Sequence, residues 1–74
     1  MEVEKMYKVV VRDRMSKKVL FKTVECSDFY ENLDGDEVVE MENGEVRMFD
    51  LESVSMKAWK LDLMGKTIGL VNER

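Results

Sequence analysis

The chain predicts a mainly β fold: one domain over residues 1–74, a small antiparallel barrel of five to six strands with at most one short helical turn. Three observations carry this expectation. Apolar residues recur at every second position, β-branched residues crowd the same segments, and Asn43-Gly44 lies between two alternating runs, as a tight hairpin requires.

The first strand is "MYKVVVRDR", about residues 5–13, with Tyr7, Val9 and Val11 on one face and Lys8 and Arg12 on the other. Across the polar link "MSKK", the β-branched and aromatic run "VLFKTVEC", about 18–26, supplies its antiparallel partner. "SDFYENLDG" breaks the alternation. Asp28 with Glu31 three residues on has the form of a capping box, which predicts a single helical turn ending near Gly35.

"EVVEMENGEVRMF" is the strongest local signal, because Asn-Gly is the preferred pair for a type I′ turn. A two-residue loop there sets Met41 opposite Val46, Glu40 opposite Arg47 and Val39 opposite Met48. Val39, Met41, Val46 and Met48 then share an apolar face, and Glu40 pairs with Arg47 on the other. After a turn at "DLES", the segment "VSMKAWKLDL" reads two ways. As a strand it buries Val54, Met56 and Ala58 and turns Trp59, Leu61 and Leu63 outward. As a helix capped by Asp50 it groups Leu51, Val54, Ala58 and Leu61, giving an α+β alternative with a helix near 50–63. The strand is preferred. "KTIGLVN" closes the series, with Gly69 marking a bulge or close approach.

This layout, a meander with a tight hairpin at strands three and four and a turn before strand five, resembles a small SH3-like barrel. The resemblance rests on spacing. The acidic loop and paired aromatics by which SH3 domains hold Pro-rich peptides have no counterpart here, so it implies a fold and no activity.

A chain of 74 residues buries only roughly 60% of its unfolded surface, so every strand must contribute to the core. Cys26 is the single cysteine and there is no histidine, which excludes an internal disulfide and a Cys/His zinc site. The lone thiol, the charged segment "MEVEKMYK" and the lack of any long apolar run predict a cytoplasmic protein that does not enter a membrane.

Charge is the unusual feature. Residues 1–22 carry a net +4, residues 23–52 carry −10 and residues 53–74 carry +2, within a total of −4. A calcium loop does not explain the acidic stretch: with Gly35 at the sixth place of an EF-hand, Tyr30 and Met41 fall at the first and twelfth, where carboxylates are required. No metal or cofactor is expected. Nor is catalysis, since Cys26 and the serines have no imidazole to activate them and hairpin carboxylates alternate into water.

Recognition remains. Asp34, Asp36, Glu37, Glu40, Glu42 and Glu45 are the candidate partner-binding residues, an acidic hairpin surface for a basic protein in the manner of viral inhibitors that imitate nucleic-acid phosphates. The chain is thus read as a non-enzymatic protein-binding module, an accessory regulator or inhibitor. Solubility and protection of strand edges would account for the same charge. Trp59, Leu61 and Leu63 are a candidate contact with a second copy in a homo-oligomer. The alternative function is nucleic-acid binding through the basic first hairpin, Arg12, Arg14, Lys17, Lys18 and Lys22, with Tyr7 and Phe21 for stacking and Lys57 and Lys60 beside Trp59. Net −4 and a pI near 4.8 argue against it.

Overall fold

The computed structural model describes residues 6–74. They form one six-stranded antiparallel sheet from β1 (Tyr7–Asp13), β2 (Val19–Glu31), β3 (Asp36–Met41), β4 (Val46–Asp50), β5 (Val54–Leu61) and β6 (Thr67–Glu73), in the order β4-β3-β2-β1-β5-β6. The expected start of the first strand at Lys5 lies outside the described residues. No helix occurs among them. The helical turn expected before Gly35 is strand, because β2 runs on to Glu31, and the preferred strand at 54–61 is β5, so the α+β alternative falls.

β2 is long because it serves two partners. Its first half pairs with β1, Thr23 opposite Val9 and Phe21 opposite Val11, while its second half pairs with β3, Phe29 opposite Val39. Register shifts near Tyr7/Val9 on one side and Cys26/Asp28 on the other mark extra residues in this strand. Such bulges bend it and fold the sheet over.

The inner face carries the core. Val9, Val11, Cys26, Val39, Met41, Val54, Met56 and Ala58 form the core, and Val9, Val11, Val39 and Ala58 have no exposed surface. Two ring pairs pack at its margins, Tyr7 edge-on to Phe29 at 5.1 Å and Phe21 tilted on Phe49 at 5.6 Å. The sheet curls but does not close, since β4 and β6 remain its edges. What crosses the opening is a side-chain pair. Arg74 continues the ladder of β6 by exchanging backbone bonds of 2.7 and 2.8 Å with Met56, and its guanidinium reaches Glu37 of β3 at 2.7 and 3.0 Å.

Three hairpin turns repeat one device. At β2–β3, β3–β4 and β5–β6 the glycine amide donates to the carbonyl three residues back, Gly35 to Asn32, Gly44 to Met41 and Gly65 to Asp62. The next residue closes the loop, at 32/36, 41/45 and 62/66, and each glycine has positive φ. This is a type I turn followed by a glycine bulge, a three-residue loop.

That geometry corrects the expected register of the β3–β4 hairpin. Asn43 keeps a negative φ and accepts from the Glu45 amide at 2.9 Å, so the loop takes one residue more than a type I′ turn would. A one-residue slip exchanges the faces of a strand. Glu40 is opposite Val46, Val39 is opposite Arg47 and Val38 is opposite Met48. Val46 and Met48, expected in the core, are 55% and 62% exposed, while Arg47 turns inward with its guanidinium 5.7 Å from the Phe21 ring.

Candidate functional site

On the outer side of β2, β3 and β4 the pairing builds three rows. Tyr30, Val38 and Met48 lie in line across the three strands. One neighbouring row is Asp28, Glu40 and Val46, and the other holds Asp36 opposite Asp50. An apolar row therefore runs between two pairs of carboxylates. Val38 is 3% exposed beneath its neighbours, whereas Tyr30 and Met48 are open to solvent. The Glu40 carboxylate, bonded to the Tyr30 hydroxyl, raises the phenol's pKa; desolvation and the charges of Glu40 and Asp28 add to that.

Asp36 and Asp50 face each other directly. Like charges so placed weaken a sheet, although the Asp50 carboxylate also accepts the Glu52 amide at 3.0 Å and so closes the turn that follows β4.

The six candidate acidic residues do not make one patch. Asp36 and Glu40 are on this outer face, and their strand-mates Asp28 and Asp50 join them. Asp34 and Glu42 occupy turns at opposite ends of β3, and Glu45 closes the hairpin with Met41, on the inner parity. Glu37 is removed from the surface altogether: it is fully buried and held by Arg74. The missed members, Asp28, Tyr30 and Met48, were signalled by alternation itself, which a strand continued through residue 31 and a three-residue loop would have revealed.

Trp59, Leu61 and Leu63 are separated likewise. Leu61 has Trp59's parity on β5, whose register with β1 runs unbroken from Val54 to Lys60, but it is only 8% exposed; Leu63 stands in the β5–β6 turn at 83%, and Trp59 is half-buried on the outer face. No joint apolar patch results.

The opposite half of the outer face is cationic. Lys8, Val10 and Arg12 of β1 share it with Ser55, Lys57 and Trp59 of β5. A groove of roughly 530 Å³ opens there, lined by Val10, Trp59, Arg12, Arg14, Lys17 and Lys57, with Glu73 and Arg74 at its side. The β1–β2 turn frames it. The Asp13 carboxylate accepts from the amides of Met15 and Ser16, bonds that lower its pKa, and Lys17 adopts φ 65° to complete the turn. Lys22 lies on the same face opposite Val10. Tyr7 and Phe21, expected to stack beside these cations, instead point inward and pack on Phe29 and Phe49.

Cys26 is buried at the bend of β2, its thiol donating to the Asp28 carbonyl at 3.1 Å, and desolvation pushes its pKa up to about 11. Among the described residues no three carboxylates or thiols converge as a metal site, and no helix is long and apolar enough to cross a membrane. Comparison with protein-family models, curated proteins and solved structures gave no match.

Proposed function

We propose that this domain is a non-enzymatic protein-binding module, an accessory regulator or inhibitor, whose docking surface is the outer face of β2–β3–β4. Its partner would present a basic surface with an apolar centre. The observation that carries this reading is the row Tyr30–Val38–Met48 set between Asp28/Glu40 and Asp36/Asp50. Protein interfaces combine an apolar centre with a polar rim, and a rim of one sign steers a partner of the other. Chemistry is left aside because the thiol is buried and protonated and these carboxylates project from strands into solvent. The fold-over of one curled sheet supports placing the domain near small SH3-like barrels, with its edges unjoined.

The test is affinity capture at low salt with three baits: wild type, Met48→Asp and Glu40→Lys. A partner held by wild type and released by both variants is the expected result. Equal retention by all three baits would move the interface elsewhere.

A further inference from the structure

We infer that the cationic groove beside Trp59 is a second binding site, on the other half of the outer face from the acidic row, and that its ligand is single-stranded nucleic acid. Arg12 and Arg14 are fixed by neutral groups, the Lys17 carbonyl at 3.0 Å and the Leu51 carbonyl at 2.7 Å. Among the described residues neither they nor Lys17 form an ion pair. The two guanidiniums are thus held by carbonyls, while Lys17 acts on the Asp13 carboxylate through space and Glu73 lines the same groove. Lys57 adds a fourth cation, whose pairing with Glu73 is long, at 3.9 Å, and exposed.

Trp59 supplies what a phosphate site alone lacks. Its indole lines the groove and is steadied by the Lys8 ammonium 5.4 Å from the ring centre. Cations and an aromatic ring lining one groove are the arrangement by which β-sheet faces follow a single strand, phosphates on the charges and bases on the ring. A duplex keeps its bases stacked inside and cannot offer one to a recessed indole. The net charge of −4 opposes association at long range. However, β3 and β4 lie two or more strands from β1 in the sheet order, about 10 Å or further, and salt screens charges beyond about 8 Å under physiological conditions.

Trp59 is the only tryptophan, so its emission reports the site directly. The probe is oligodeoxythymidylate of about 10 nucleotides, within the ~4–16 that one small β domain covers. Quenching on titration is expected, with affinity falling about 20-fold between roughly 50 and 200 mM salt if three phosphates are contacted. Polyglutamate of equal charge and a duplex of equal length should bind at least about 10-fold more weakly. Arg12→Ala combined with Lys17→Ala, and independently Lys57→Ala on the rigid strand, should each weaken the complex, and Met48→Asp should not. Absence of quenching at low salt, polyglutamate binding as tightly as the oligonucleotide, or loss of binding in Met48→Asp would each overturn the assignment. Because Met48 lies outside this groove, failure here leaves the acidic-row reading standing, and the reverse is equally true.

Discussion

Outside β3 and β4 the sheet carries an apolar row between carboxylates, whereas outside β1 and β5 it carries an indole among cations. Their inner sides are alike: Val9, Val11 and Met56 beneath the basic half, Val39 and Met41 beneath the acidic one. The difference teaches that inner positions specify the fold while outer positions are free to take a sign. One contact breaks the division. Glu37 passes from the acidic strand β3 into the interior, and Arg74 comes from the basic side to meet it.

That contact offers the largest test. Removing Arg74 leaves a fully buried carboxylate without its partner, so Arg74→Ala should lower stability in urea unfolding by up to about 3 kcal/mol, somewhat less than for a wholly buried pair because Arg74 is 30% exposed. Glu37→Gln should cost less, since Arg74 can turn to water. Replacing both by methionine should come close to neutral, which would show that the bridge joins the halves without being their main source of stability.

The second effect lies at the bend between the halves. The Cys26 thiol has a folded pKa of about 11 against an ordinary 9.0. Only the unfolded chain ionises in that window, so the stability contributed by the buried thiol is intact below pH 9 and declines as pH rises towards 11, by about 2 kcal/mol. Cys26→Ala should start less stable from its cavity but lack this alkaline slope. Equal slopes in the two proteins would show that the bend admits water.

Strand identity was legible wherever one side of a strand faced the core. Val9 and Val11, and Val54, Met56 and Ala58, were placed inward by alternation alone, and there the structure agrees. The acidic half was less legible because its loop length could not be read from Asn43-Gly44: that pair suits a two-residue loop and a three-residue one, and the two differ in which side of β4 faces the core. A clue was present in the other turns. Asn32 and Asp62 each stand three residues before a glycine, and each side-chain oxygen accepts two amides of its loop, the pattern of a type I turn with a glycine bulge. Read as a helix end, the first of these also concealed Tyr30 as a strand residue. Arg12, Arg14, Lys17, Lys57 and Trp59 were legible as a basic and aromatic set, but that they line one groove was not, because they come from a turn and two strands that only the fold brings together.

The turn device predicts a third, smaller effect. Gly44 has φ 91°, where a side chain is strained whatever the space around it, so Gly44→Ala should destabilise the acidic half by about 1 kcal/mol. Amide exchange should rise most in β3 and β4 and least in β1 and β5. Uniform loosening would mean that the halves do not differ in local stability.

The smallest effect has its counterpart on the basic side, at Lys17. It is the one described residue other than glycine with positive φ, at 65°. The turn closed by the Asp13–Lys18 and Lys17–Asp13 backbone bonds imposes this conformation, which glycine would take at less cost. Lys17→Gly should relieve the strain and stabilise the protein by about 0.5 kcal/mol, after allowance for the flexibility glycine adds to the unfolded chain. The same change removes one cation from the groove and should flatten the salt dependence of oligonucleotide binding by about 0.7 in log–log slope. A gain in stability with a loss of affinity is the pattern that distinguishes a strained binding residue from an idle one. If Lys17→Gly stabilises the fold and leaves binding untouched, the turn's cation has no part in the groove, and the contrast between the halves reduces to the acidic row alone.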